Sequence, residues 1–448
     1  MNRSTRRIIE TLAVILIALI PLSSLALAGK PLVNCNLTLD RDILPAGRNE
    51  TTVIKVTLDV PEIPREEERP PVNLTLVIDR SGSMSGQKLA KAREAAITAL
   101  RMLGPRDIFS LVAYDDRVET LIPPQYAANQ KWMEARIRAI DSGGNTALFG
   151  AVSQGAAEVR KNLERGYIHR LILLSDGLAN VGPSSPADLA RLGSALLKEG
   201  ISVSTIGVGN DFNEDLMTQL AERSDGNHYF VESSRDLPRI FASELGDVLS
   251  VAARRVIIEI DCPDGVRPLR IIGRDGRIRD NRVELHLNQL YGGQEKYALI
   301  EVAVDPGRAD ESRQLAAARC AYENALTSSA EESRSEIHIA FSSSDEDVIR
   351  SANKGVQQAL IENEIAESRD KALDLYNEGR KDEAVAELQQ SKEKIQTRSS
   401  ALGFSDLADE AQELEQDAEA FAAPVLPSPV KKAIRSESYK VRSQQKDY

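Results

Sequence analysis

The sequence contains little cysteine and histidine, which limits the metal chemistry it can support. Its 448 residues include four histidines and three cysteines, Cys35, Cys262 and Cys320. The cysteines match no metal-binding spacing, and no histidine lies beside a cysteine or in a His-Glu-x-x-His pattern, so zinc is not predicted. An exported chain could pair two of the cysteines, but buried unpaired thiols explain the spacing equally well.

Positive charge is also in short supply relative to negative charge. The chain has 56 Lys+Arg against 68 Asp+Glu, a formal net charge of −12. Binding to nucleic-acid phosphates needs a basic surface, so nucleic acid is not a predicted partner, and a cation is the more natural small ligand. The hydrophobic content of 42% and charged content of 28% are typical of a globular protein. The length predicts two or three domains.

One apolar segment suggests a targeting signal, and it lies at the N-terminus. Three arginines within the first seven residues precede the apolar run 12–20 and the small-x-small sequence at 26–28. This pattern predicts a secretory signal over residues 1–28, with an uncleaved N-terminal anchor as the alternative. No later segment is apolar enough to cross a bilayer. We therefore expect export to the periplasm, the cell surface or the exterior, with membrane contact only through an uncleaved N-terminal segment.

The remaining chain divides into segments of different hydrophobic pattern. Residues 29–60 contain two alternating stretches, which predict strands, and a charged, proline-containing linker follows at 61–71. Over 72–250, short apolar strands alternate with helices, which predicts an α/β fold with a doubly wound, mostly parallel sheet. Residues 251–343 return to alternating strands, although 315–326 is compatible with helix or strand. We interpret these strands and those before the linker as one flanking β-sandwich into which the α/β domain is inserted.

The α/β segment gives the clearest element predictions. The predicted strands are 74–78, 107–114, 171–174, 202–208 and 228–231. The predicted helices are 87–103, 147–162, 186–198, 214–223 and 237–249.

The C-terminal part of the chain is predicted to be helical and then disordered. Residues 344–422 follow a helical period, and 372–388 resembles a single tetratricopeptide helix pair. Because such arrays need about three repeats, packing against the β-domain or dimerisation is favoured over a peptide groove. The proline-containing, polar, mildly basic segment 423–448 predicts a disordered tail.

Short oxygen-bearing side chains follow three of the predicted strands. The first strand leads into Asp79, Ser81 and Ser83, a second loop reaches a helix at Thr146, and the strand at 171–174 ends before Asp176. In doubly wound sheets, ligands collect beyond the carboxyl ends of strands. Ligand sets made only of oxygen suit a hard divalent cation such as Mg²⁺.

The order and spacing of these loops resemble the metal-ion-dependent adhesion site of von Willebrand factor A domains. The resemblance covers roughly residues 72–250 and rests on Asp79-x-Ser81-x-Ser83, on Thr146 after Gly143-Gly144, and on Asp176 before Gly177. Bacterial secreted proteins of this kind, and more distantly the inter-alpha-trypsin-inhibitor heavy chains, place β-structure beside the domain. The resemblance implies that Mg²⁺, or else Mn²⁺ or Ca²⁺, is held by Asp79, Ser81, Ser83, Thr146 and Asp176.

The same resemblance implies a binding mechanism. The two aspartates would act largely through bound water, so the cation would keep positive charge on its open side. A protein partner would complete the shell with an Asp or Glu. The predicted function is therefore divalent-cation-dependent protein binding or adhesion.

Three other interpretations compete with this one. Asp79 and Asp176 could merely cap turns, as in family members that keep the fold without metal. A phosphoryl-transfer enzyme is disfavoured because haloacid-dehalogenase-like phosphatases need a second Asp where Ser81 stands, and P-loop spacing and a Gly-x-Ser-x-Gly elbow are missing. We therefore predict that the protein is not an enzyme. The third alternative is a cell-envelope structural or assembly factor that uses the fold as a scaffold, in which case Asp79→Ala leaves binding intact.

Overall fold

The computed structural model describes residues 31–62, 69–163, 166–404, 408–409 and 411–445. The predicted secretory signal and most of the predicted linker lie outside these residues. From Leu32 onward the chain forms one compact unit. Among the residues described, no helix combines the length and the apolar character needed to span a membrane.

Among the residues described, a first group of strands is followed by an α/β region, a second group of strands and the C-terminal helices. The strands are β1 (Asn34–Leu39), β2 (Ile43–Pro45), β3 (Glu50–Asp59), β4 (Val72–Asp79), β5 (Ile108–Tyr114), β6 (Val118–Tyr126), β7 (Ile168–Ser175), β8 (Ile201–Val208), β9 (His228–Val231), β10 (Val251–Asp261), β11 (Val266–Ile272), β12 (Arg277–Arg279), β13 (Arg282–Tyr291), β14 (Glu295–Val304), β15 (Ser312–Asn324) and β16 (Ala330–Ser342). The helices are α1 (Gln87–Met102), α2 (Gln130–Arg138), α3 (Leu148–Arg160), α4 (Pro186–Lys198), α5 (Glu214–Arg223), α6 (Leu237–Val248), α7 (Asp345–Arg350), α8 (Lys354–Asn377), α9 (Lys381–Ala401), α10 (Gln412–Ala422) and α11 (Ser428–Ser443).

The α/β domain is built on a six-stranded sheet in the order β6-β5-β4-β7-β8-β9. All pairs are parallel except β5–β6, which is antiparallel. Strands β4, β5, β7 and β8 are buried along their whole length, because helices cover both faces of the sheet. The doubly wound fold predicted from the sequence is confirmed. The direction of the strand order reverses at β4, so the carboxyl ends of β4 and β7 are the expected ligand site.

Two elements of this domain were not predicted. Edge strand β6 contains Pro123 and Pro124 and buries only Ile122 fully, so its sequence lacks the regular apolar alternation of a strand. Helix α2 buries only Met133 and Ile137, too short a stripe to show a clear helical period.

A β-sandwich flanks the α/β domain. Its sheets have the orders β1-β3-β14-β11 and β12-β13-β10-β15-β16-β2, and apolar side chains from both form one core. The ambiguous segment 315–326 is mostly strand, since β15 covers Ser312–Asn324. Strand β3, which precedes the α/β domain, pairs antiparallel with β14, which follows it. The α/β domain is therefore an insertion between β3 and β10.

The inserted domain enters and leaves the sandwich at a single turn. The N–H of Gly293 donates to the carbonyl of Val60 (3.0 Å), just after β3. The N–H of the preceding Gly292 donates to the carbonyl of Ser250 (2.8 Å), just before β10. The two connections are therefore fixed to adjacent residues of the β13–β14 turn.

A buried polar cluster also joins the two domains. Arg170 of β7 is fully buried and donates to Gln289 Oε1 of β13 (2.8 Å), while its guanidinium lies 3.6 Å from Glu244 of α6. A buried charge is tolerated only with hydrogen-bonded, charged partners, so these contacts fix the orientation of the α/β domain on the sandwich.

The C-terminal helices pack against the other regions. Helix α8 places Val356, Ala359 and Leu360 on a patch of the sandwich that includes Ile272 and Leu299. Helices α9 and α10 share a further apolar cluster with α8.

The prediction of a disordered tail over 423–448 is wrong, because α11 occupies most of that segment. Ile434 and Tyr439 are buried, and basic side chains pair with distant carboxylates: Lys432 Nζ donates to Glu214 (2.6 Å), and Arg442 donates to Glu222 (2.8 Å). The prediction rested on the polar, basic composition of this segment, which suggested that its charged side chains are solvated. The partners that neutralise them lie more than 200 residues earlier in the chain.

Candidate metal centre

Strand β4 delivers Asp79 to the carboxyl end of the sheet. Asp79 is its last residue and is fully buried. Its Oδ1 accepts a hydrogen bond from the N–H of Ser81 (2.8 Å), and its Oδ2 accepts one from Ser175 Oγ (2.7 Å). Burial raises the pKa of Asp79 above its ordinary value, and the hydrogen bonds from Ser81 and Ser175 partly offset this effect. The carboxylate is therefore fixed by both neighbouring strand ends.

The first loop meets the third through its hydroxyl groups. Ser81 Oγ and Ser83 Oγ lie 3.1 Å apart, and Ser83 Oγ donates to Asp176 Oδ1 (2.7 Å). Ser81 and Asp176 are buried, whereas Ser83 is exposed. The cluster thus lies at the surface, with one hydroxyl facing solvent.

The second loop brings Thr146 to the same place. A Cβ atom added to Gly177 would lie 3.2 Å from Thr146 Oγ1 and 3.5 Å from Ser83 Oγ, so both hydroxyls face the glycine that follows Asp176. The backbone of Thr146 is held by Asn180, whose Oδ1 accepts its N–H (2.9 Å) and whose own N–H donates to its carbonyl (3.1 Å). Three loops distant in sequence therefore converge on one small volume.

Backbone hydrogen bonds tie the first two loops together. Gly143 N–H donates to Arg80 O (2.8 Å), and Gly82 N–H donates to Gly144 O (3.1 Å). Gly144 has a φ of +52°, and a Cβ atom there would approach Asp115 Cβ to 2.9 Å, so both the backbone conformation and the space require glycine. This explains the second glycine of the loop in physical terms.

Three residues of the site were missed from the sequence. Lys88 of α1 donates from Nζ to Asp176 Oδ2, Ser175 orients Asp79, and Asn180 holds Thr146. The position of Ser175 directly before Asp176 was a usable signal. No local pattern distinguishes Lys88 or Asn180, because their roles depend on contacts across loops.

The five predicted residues lie together and fit a hard cation. Their three hydroxyls and two carboxylates offer oxygen atoms only, the ligand type that Mg²⁺, Mn²⁺ and Ca²⁺ prefer. In the described part of the chain no cluster of three or more His, Cys, Asp or Glu could hold a metal, so a site here depends on the hydroxyl groups. Side-chain-free Gly177 leaves space beside Thr146 and Ser83.

The fold and this arrangement of loops define a class of domain. Residues 73–243 match the family model of the von Willebrand factor type A domain. The inserted α/β domain is therefore a von Willebrand factor A domain, a module that typically mediates protein interaction and often binds a divalent metal.

Particular relatives share this domain. The chain is 28% identical over 240 residues to the uncharacterized protein YfbK of Escherichia coli (strain K12), covering 53% of this chain and 42% of that protein. It is 30% identical over 159 residues to inter-alpha-trypsin inhibitor heavy chain H4 of Homo sapiens, covering 34% and 17%. The chain thus spans less than half the length of either relative.

A solved structure resembles nearly the whole chain. The von Willebrand factor type A protein from Catenulispora acidiphila aligns with a TM-score of 0.68 at 18% identity, covering 94% of this chain and 99% of that one. At this identity the likeness concerns the fold. It extends beyond the α/β domain to the added sheets and helices.

Proposed function

We propose that this protein binds a protein partner through a divalent cation, preferentially Mg²⁺, with Mn²⁺ or Ca²⁺ as substitutes. Asp79, Ser81, Ser83, Thr146 and Asp176 would hold the cation. The observation that supports this most directly is the hydrogen bond of 2.7 Å from Ser83 Oγ to Asp176, with Thr146 beside both, at the carboxyl ends of the central strands. Oxygen atoms from three loops thus lie close enough together to serve as one set of ligands.

The charge of the donor set supports a role in binding an acidic group. Only Asp79 and Asp176 are anionic. Although their formal charges balance a divalent cation, both would act largely through bound water, so the cation would keep positive charge on its open side. Exposed Ser83 and half-buried Gly177 border the solvent side of the cluster. A partner carboxylate arriving from that side would form a charge-assisted contact in a partly dehydrated site.

Calorimetric titration of Mg²⁺ into the full chain tests the cation site. We expect binding by the natural protein and at least a tenfold weaker affinity in Asp79→Ala and Asp176→Ala, because each removes an oriented carboxylate. Asp141→Ala is the matched control, since that side chain is 96% exposed and its affinity should change by less than about twofold. Equal affinities in all four proteins, or no binding by the natural one, would contradict the proposal.

Binding of a small carboxylate tests the partner's chemistry. We expect saturation-transfer NMR to detect N-acetylglutamate on the protein in Mg²⁺ but not in EDTA. N-acetylglutamine, which has the same shape without the charge, should give no signal. Equal signals from the two compounds, or a signal that survives EDTA or Asp79→Ala, would favour a scaffold in which the metal is secondary.

We also propose that the protein is exported and binds without catalysing a reaction. The N-terminal arginines followed by an apolar run and a small-x-small sequence support export. Fractionation of the producing cells, with mass spectrometry of the chain's N-terminus, tests this. A phosphatase assay with generic substrates in Mg²⁺ should show no turnover.

A further inference from the structure

A lysine outside the donor set lies directly on the candidate metal centre. Lys88 Nζ donates to Asp176 Oδ2, while the other oxygen of that carboxylate accepts from Ser83. Asp176 is fully buried, and the Lys88 side chain is 30% exposed. A Cβ atom on Gly209 would lie 3.7 Å from Nζ, so the lysine extends from α1 past the end of β8 to reach the end of β7.

The contact changes the charge balance of the site. A buried carboxylate without a charged or hydrogen-bonded partner is costly, and Lys88 supplies a positive charge to Asp176 when no cation is present. The other cation beside the first loop, Arg80, is engaged elsewhere, with Asp115 (3.0 Å) and Glu119 (3.1 Å). Lys88 is thus the basic group that contacts a predicted ligand among the residues described.

We propose that Lys88 is a permanent counter-ion of the metal centre that lowers its affinity for the cation and raises its affinity for an anionic partner. This inference rests on the proposed function. With a divalent cation bound, two carboxylates and one ammonium leave the site with one net positive charge. A single partner carboxylate neutralises that charge, whereas without Lys88 the loaded site would already be neutral.

Removing the lysine charge tests the inference. In calorimetric titrations with Mg²⁺, we expect Lys88→Met to lower the Kd about tenfold, because a positive charge beside the cation is lost from a partly buried site. N-acetylglutamate should bind the Mg²⁺-loaded variant about tenfold more weakly than the natural protein. Lys91→Met is the matched control: Lys91 lies on the same helix, is also 30% exposed, and pairs with Glu94 (2.6 Å), so both affinities should stay within about twofold.

A second variant separates the charge from the contact. Lys88→Gln keeps a polar hydrogen-bond donor on the side chain but removes the charge, so it should bind Mg²⁺ as tightly as Lys88→Met. The thermal unfolding midpoint of both variants should rise more on adding Mg²⁺ than that of the natural protein, since the cation then replaces the missing counter-ion. A variant that folds poorly without the metal should show this rise most clearly.

The outcomes distinguish this inference from the proposed function. Unchanged or weaker Mg²⁺ binding in both Lys88 variants, with normal binding by the natural protein, would overturn the role of Lys88 and leave the metal centre intact. The same gain in Lys91→Met would show that only the overall charge of the domain matters, which also overturns it. Absence of Mg²⁺ binding by the natural protein would overturn both proposals.

Discussion

Arg435 is the residue whose removal best tests the packing of the C-terminal helix. Its guanidinium contacts Asp370 (2.7 Å), Asp374 (2.7 Å) and Asp215 (2.9 Å), and its side chain is only 9% exposed. Breaking a buried ion pair by removing one partner typically costs 3–5 kcal/mol. In Arg435→Met the loss of stability should be about 3 kcal/mol, at the lower end of this range. Asp370 keeps its contact with Arg442 (2.8 Å), and Asp374, which is 65% exposed, returns to water.

Amide hydrogen exchange, read by mass spectrometry of peptides covering 428–443, measures this loss without requiring global unfolding. A cost of about 3 kcal/mol corresponds to exchange roughly a hundredfold faster than in the natural protein. Lys431→Met is the control on the same helix: Lys431 donates to Asn377 (3.2 Å) and lies over the Tyr376 ring, so the effect should stay below about 1 kcal/mol. Rates within threefold of each other in Arg435→Met and the natural protein would refute the reasoning. If the amides of 428–443 exchanged without protection in the natural protein, the prediction of a disordered tail would be correct after all.

Two further predictions concern buried groups that titrate. Burial lowers the pKa of His228 to about 3 from 6.5, so between these values only the unfolded chain gains the proton, and stability falls as the pH falls. The difference in unfolding free energy between the natural protein and His228→Gln should fall by about 2 kcal/mol between pH 6.5 and 5. A difference that stays constant over this range would contradict the prediction. Cys35, Cys262 and Cys320 are all unpaired and buried, and burial raises the pKa of Cys35 and of Cys262 to about 11. A thiol reagent at pH 8 should therefore label none of them within minutes in the native protein and all three in denaturant, whereas fewer than three in unreduced denatured protein would reveal a disulfide.

The parts of the molecule that follow from local sequence were predictable. Strands β4 and β7 are short apolar runs buried on both faces, and that pattern belongs to parallel sheets. Asp79 is the last residue of β4 and Asp176 directly follows β7, so the sheet topology places both at the same edge. The five candidate ligands were named because the order and spacing of their loops resemble a metal-ion-dependent adhesion site, and they remain predicted ligands.

The parts that depend on long-range pairing were not predictable. Edge strand β6 has too little burial to show a pattern, and α11 is stabilised by carboxylates more than 200 residues away. Lys88 belongs to an ordinary amphipathic helix, and only the folded loops bring Asp176 to its ammonium group. In each case the stabilising partner is absent from the surrounding sequence.

The attachment of the inserted domain at Gly292 and Gly293 has a mechanical consequence. One covalent connection continues into β3 and the other into β10, and these strands belong to different sheets of the sandwich. If the protein binds a partner as proposed, a force on that partner would be shared between two chain segments and distributed over the hydrogen-bonded strands of both sheets. A domain connected through a single terminus would instead transmit the entire force through one chain segment.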